Sequence, residues 1–238
     1  MKRTHKFAIL VVILFVAAGL LLSARPAPPA GAFADDFSSR TMRVDYFHSG
    51  TAAEEHISLD RIVADGPWAG STTRLLDDTN LGKYFFEVAD RATNRVLYSR
   101  GFASVFGEWE TTPEAKKLWR TYPESLRFPW PKHPVQATVK KRDADGVFRE
   151  LWTTAVDPGS RFVVPADAAP RGAVWTLFEN GPASEKVDLL ILGDGYSAAE
   201  MEKFHADAKR LSDALFSFEP FKSRRADFNV RAIDTPAG

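Results

Sequence analysis

Residues Val187–Arg210 read VDLLILGDGYSAAEMEKFHADAKR. Val187–Leu192 is apolar with almost no polar alternation, the pattern of a short strand buried on both faces. Gly193-Asp194-Gly195 then supplies turn chemistry, and Ser197 with Glu200 forms the S-x-x-E signature of a helix start. Met201, Phe204, Ala208, Leu211, Leu215 and Phe218 follow at steps of three or four, which places them on one face of a helix ended by Pro220. Phe228–Ile233 reads as the next strand. The unit is strand, helix, strand, which normally sets both strands parallel in one sheet. A two-stranded parallel sheet leaves its faces largely uncovered, so residues 186–238 are expected to be the start of an incomplete α/β domain.

Upstream the pattern changes to β. Met42–Phe47 alternates, and His56–Val63 is a second strand ended by Asp65-Gly66-Pro67. Tyr84–Val88 and Arg95–Arg100 flank Asp90–Asn94 as a hairpin. Gln136–Lys140 and Val147–Thr154 flank an Asp-Gly turn as another. Between the hairpins Thr112 is a candidate cap, Pro113 a first helical position and Glu114 a macrodipole partner, predicting a short helix to about Trp119. Short strands with Gly, Asp and Pro turns predict an antiparallel β-sandwich over 35–157. Residues 158–185 are rich in Pro and Gly and read as linker or domain-crossing chain with one edge strand at Arg161–Val164. The fold class expected is α+β and multi-domain: an N-terminal antiparallel β-sandwich, then an incomplete βαβ segment.

The chain has 238 residues, 45% of them hydrophobic and 26% charged, with 18 Phe and 6 Trp, enough for a sizeable core. Lys2, Arg3 and Lys6 precede an apolar run over Phe7–Ala24. Small residues follow at Ala30-Gly31-Ala32 and Ala32-Phe33-Ala34. This is the order of a secretory signal over 1–34, cleaved after Ala32 or Ala34, or of an uncleaved anchor. Either puts the remainder outside the cytoplasm, with membrane contact only through an uncleaved segment. Without residues 1–34 the chain loses four basic groups and no acidic ones, leaving 27 against 31 and a net charge of −4. That argues against a nucleic-acid partner. With no Cys, disulfides, thiolate metal sites and cysteine nucleophiles are excluded.

Gly193-Asp194-Gly195-Tyr196-Ser197-Ala198 formally fits G-x-G-x-x-G/A between a strand and a helix. In a dinucleotide site its N–H groups would take a pyrophosphate, and Asp234 a ribose hydroxyl. The plainer reading is a tight turn with close helix packing, since Tyr196 is bulky and the capping box uses the free N–H groups. Asp194 is a candidate base or metal ligand, or simply a carboxylate serving the helix N-terminus. Glu54-Glu55-His56 invites a metal reading. The inverted zinc motif, however, would need His at Ala52, and no H-E-x-x-H or G-x-S-x-G occurs. His48 and His56 lie eight apart across a turn, and hydrogen-bonded strand-end histidines are the expectation for both. His133 is isolated, His205 is expected to face solvent, and Lys222-Ser223-Arg224-Arg225 reads as a solvated basic loop. No catalytic, cofactor or metal residue is assigned.

The stretch from Val187 to Gly238, with its ILGDGY turn, LF-x-x-EPF helix end and FNV strand, resembles the start of the catalytic domain in the IgA-peptidase family of secreted zinc metalloendopeptidases. YFHSGTAAEEHISLDRIV (46–63) and LYSRGFASVFGEW (97–109) are similar to the β-rich domain that precedes it there. The resemblance implies a protein or peptide substrate and a zinc ion on a downstream H-E-F-G-H helix, whose Glu is the general base. This sequence has no such motif, so no zinc ligand or catalytic Glu transfers to any residue. The chain is expected to be the N-terminal portion of such a peptidase, inactive alone and without a cofactor of its own. The alternative is a non-catalytic extracytoplasmic binding module built on the sandwich.

Overall fold

The computed structural model describes residues 33–166 and 172–237. All but the last two residues of the expected signal segment lie outside that range. A single helical turn, α1 (Phe33–Asp36), leads into β1 (Phe37–Gly50). Phe33 packs on Phe37 at 5.8 Å, and Asp36 takes both guanidinium nitrogens of Arg95.

Two four-stranded sheets face each other. The first has the order β5 (Arg120–Pro131), β1, β2 (Glu55–Pro67), β8 (Val163–Pro165). Strand β1 is antiparallel to β2 and β5, and β8 joins the β2 edge in parallel. The second sheet, wholly antiparallel, has the order β4 (Val96–Phe102), β3 (Tyr84–Asp90), β6 (Val135–Arg142), β7 (Phe148–Val156). One core fills the space between them, with Met42, Val44, Leu126 and Phe128 from the first sheet against Phe86, Val88, Ala137 and Val139 from the second. The period of two explains this side-chain choice. Along β1, Met42, Val44, Tyr46 and His48 are buried. On the other face Arg43, Asp45, Arg61, Asp65 and Arg127 form a half-exposed ion-pair ladder.

Strand β5 carries Pro123, Pro129 and Pro131 and was not expected from the sequence. It lies at the sheet edge, where a missing N–H costs no ladder bond. The helix expected after Thr112 lies earlier. It is α2 (Val105–Trp109), capped by Ser104, whose hydroxyl accepts the Gly107 N–H at 3.0 Å. Thr112 does accept the Ala115 N–H at 3.3 Å, but only turns follow. Ala115 is the one buried residue of that stretch, while Lys116 to Trp119 are exposed, too little packing to hold a nucleated helix.

The expected linker contains a further strand, β9 (Val174–Phe178). It pairs antiparallel with β11 (Phe228–Ile233), which in turn pairs parallel with β10 (Val187–Leu192). The βαβ connection is a 3-10 turn, Ala198–Glu200, and helix α3 (Met201–Leu215). Two sequence expectations are corrected here. Strand β10 is not buried on both faces: Val187, Leu190 and Leu192 are 54%, 53% and 64% exposed. It is a sheet edge with one strand neighbour, and central β11 carries the burial through Asn229, Val230, Ala232 and Ile233. The helix contact is also narrower than its apolar stripe. Phe204, Ala208, Ser212 and Phe216, four apart, are buried, while Leu211 and Phe218 are exposed.

Candidate functional site

The Gly193–Ala198 turn serves packing. Gly195 has φ of +77°, the left-handed region that favours glycine. A Cβ on Gly193 would stand 3.1 Å from the Phe204 ring. The capping box forms, with the Glu200 carboxylate accepting the Ser197 N–H at 3.0 Å and its hydroxyl at 2.7 Å. Tyr196 packs on Phe204 and donates to Asp207 at 3.1 Å. Thr235 donates to the Gly193 carbonyl and Ala237 N–H to that of Tyr196, each at 2.8 Å, so the chain after β11 closes over the turn. Asp194 is exposed.

Asp234 is engaged elsewhere. Its Oδ1 accepts the Trp175 indole N–H at 3.0 Å and lies 2.8 Å from His205 Nε2. His205 therefore does not simply face solvent. Its ring also lies 4.5 Å from Trp175, at the mouth of an open cleft of about 470 Å³ between β9 and α3. Arg225 borders the same cleft with its guanidinium 3.8 Å over the Phe178 ring. Of the expected basic loop, then, Arg225 stacks on an aromatic face and Arg224 pairs with Asp227 at 2.7 Å.

The densest constellation of chemistry-bearing side chains lies between the sandwich sheets. His48 and His56 do not meet, because they occupy opposite faces of the paired strands β1 and β2. His56 is exposed and stacks on Trp119, and His133 is exposed in a loop. His48 is 1% exposed. Its Nδ1 lies 3.1 Å from Glu124 Oε2 and its Nε2 2.9 Å from Glu55 Oε2. Each carboxylate also accepts a phenol: Tyr46 donates to Glu124 at 3.0 Å and Tyr84 to Glu55 at 2.9 Å. The Phe106 N–H donates to Glu124 Oε1 at 3.0 Å. Lys141 donates to Glu55 Oε1, and to Glu110 at 2.9 Å, and the Lys83 ammonium closes the chain on Glu110. The Phe106 ring stacks on His48 at 4.1 Å.

The electrostatics follow from this geometry. Burial alone would lower the His48 pKa, but the hydrogen bonds and charges of Glu124 and Glu55 outweigh it and raise the value. Burial likewise works against Glu55, yet His48, Lys141 and Tyr84 hold it down to about 2. Burial also opposes the other two shifts, but Glu124 is lowered by His48, the Phe106 N–H and Tyr46, and Lys141 is raised by Glu55 and Glu110. Tyr46 and Tyr84 are pushed up, first by burial and then by the facing carboxylates. Sequence reasoning missed Glu124 and Tyr84 as partners of His48, and Lys141 as the partner of Glu55. The signal was present: the alternation Met42, Val44, Tyr46 continues to His48, and Tyr122, Glu124, Leu126, Phe128 alternate in the same way.

Neither cluster fits a zinc ion, which needs three or four N or O donors converging on one point. Both ring nitrogens of His48 are occupied by carboxylates on opposite sides, and those carboxylates are filled by phenol, amide and ammonium donors. His205 offers one nitrogen and Asp234 a carboxylate already bonded to Trp175. Among the described residues no group of three or more His, Asp or Glu could hold a metal.

The fold is β-rich α+β, an antiparallel sandwich followed along the chain by a strand–helix–strand unit. Both parts match one family, in chain order. The family described as Peptidase M64 N-terminus matches residues 32–153, just over half of the chain, and that described as IgA Peptidase M64 matches residues 175–238. The chain belongs to the M64 peptidase family. A search of curated proteins gave no match.

Proposed function

We propose that these residues are the N-terminal portion of a secreted zinc metallopeptidase. The sandwich is its accessory domain, and the βαβ unit is scaffold for a zinc-bearing helix that these residues do not include. The observation that carries this reading is the pairing of two facts. Both parts match the peptidase family in order, yet the donor set present does not fit zinc and the sequence contains no H-E-x-x-H. Location outside the cytoplasm is supported by the basic, then apolar, then small-residue order of Lys2–Ala34. No helix among the described residues is long and apolar enough to cross a membrane. The substrate class is protein or peptide, as for the family. Incubating the purified chain with casein, with and without a chelator, tests the reading. No chelator-sensitive cleavage is expected, and reproducible chelator-sensitive cleavage would overturn it.

A second reading, a non-catalytic binding module, draws on one surface feature. His56 and Trp119 stack at 5.8 Å while both stay exposed, an aromatic platform at one edge of the sandwich.

A further inference from the structure

The hydrogen-bond pattern around His48 bears directly on its proton count. Glu124 accepts from a backbone N–H and a phenol, and Glu55 from an ammonium and a phenol, so both turn lone pairs toward the imidazole. A neutral ring has one N–H. Its other nitrogen would then set a lone pair against a carboxylate oxygen at about 3 Å, a repulsive contact. The geometry thus favours a proton on both nitrogens. Charge balance agrees: His48, Lys141 and Lys83 offset Glu55, Glu110 and Glu124, three against three. Taking the proton from His48 leaves a buried carboxylate without its partner.

The groups facing His48 come from every element around it: Tyr46 on its own strand, Glu55 on β2, Tyr84 on β3, Tyr122 and Glu124 on β5 and Lys141 on β6, with Phe106 of α2 stacked on the ring. Segment 104–119 is anchored on this same network. The Phe106 N–H sits on Glu124, the Gly107 carbonyl takes Lys83 at 2.9 Å, and Glu110 takes Lys141. Its own small core is Phe106, Trp109 and Ala115 against Tyr122.

We infer that the sandwich carries a proton-gated latch: doubly protonated His48 clamps the carboxylates of β2 and β5 and seats segment 104–119, and loss of one ring proton releases that segment. The latch is independent of the peptidase reading. Because His48 has a raised pKa in the fold, its contribution is complete below its ordinary value of 6.5 and is lost as pH rises through the raised value. Glu55 contributes above its ordinary 4.5 and loses that contribution as pH falls through about 2. The latch is therefore tightest between those ordinary values, in mildly acidic surroundings.

Two measurements on the full chain test it. In nitrogen-15 spectra of the histidine rings near pH 6, His48 should show two protonated nitrogens and titrate above the ordinary imidazole value of 6.5. Hydrogen exchange of 104–119, corrected for the intrinsic pH dependence of amide exchange, should rise by about tenfold per pH unit between 6.5 and the His48 titration point. Strands β3 and β6 should stay protected meanwhile. His48→Gln should make exchange of 104–119 fast already at pH 5.5 and flatten its pH dependence. A neutral His48 tautomer at pH 6 overturns the inference, and so does corrected exchange at 104–119 that stays flat between pH 6 and 10. The spectra need only the native chain, so the test survives if His48→Gln does not fold.

Discussion

Replacing Glu55 by Gln is the sharpest probe of the buried network. The amide matches the carboxylate in shape but removes the charge that Lys141 and His48 share. The fold holds Glu55 at about 2 against an ordinary 4.5, a difference of roughly 2.5 units. At about 1.4 kcal/mol per unit this is a stabilisation on the order of 3 kcal/mol. It is fully present above pH 4.5 and lost as pH falls toward 2. The Glu55→Gln chain should therefore unfold about 2–4 kcal/mol more easily at pH 5.5, overlapping the range of about 3–5 kcal/mol for breaking a buried pair by removing one partner. Its stability should also fall less steeply between pH 4.5 and 2 than that of the native chain. Urea unfolding followed by tryptophan fluorescence at several pH values reads both effects. A variant within 1 kcal/mol of the native chain at pH 5.5, with an unchanged acid slope, would refute the reasoning.

Phe204→Ala should cost about 3–5 kcal/mol in the βαβ unit, because the ring fills the space among Gly193, Trp175 and Tyr196. Loss of hydrogen-exchange protection in β11 checks it. Gly195→Ala should cost about 1 kcal/mol from its positive φ alone, since open space surrounds the new methyl; Gly193→Ala should cost more because of the Phe204 ring, and thermal unfolding ranks the two. Amides of the edge strand β10 should exchange much faster than those of central β11, and equal protection across Val187–Leu192 would contradict the exposed edge.

Part of this fold was legible because strand β1 alternates and the hairpin turns carry typical residues. Met42 to Phe47 reads as a strand with one buried face, and the two hairpins carry their turn residues openly. The capping box at Ser197 marked the helix start. What escaped did so for local reasons. Prolines in β5 hid an edge strand, and glycines and prolines around Val174–Phe178 made β9 look like linker. Thr112-Pro113 looked like a helix start, whereas Phe106 and Trp109 had the packing partners. The His48 network was only half readable. Its alternation is local, but Glu124 and Lys141 reach it from 76 and 86 positions away along the chain, from His48 and Glu55 respectively. No spacing rule signals a pairing over that range. The βαβ unit showed the opposite limit: its composition predicted burial that β10 does not have.

The proposed function has these residues carry the family's scaffold without a zinc site of their own. Equilibrium dialysis of the purified chain against zinc, with the bound metal counted by mass spectrometry, tests it most directly. The account predicts far less than one zinc per chain and no change in the His48 or His205 ring spectra. One tightly held zinc per chain, with either histidine shifted on binding, would contradict it.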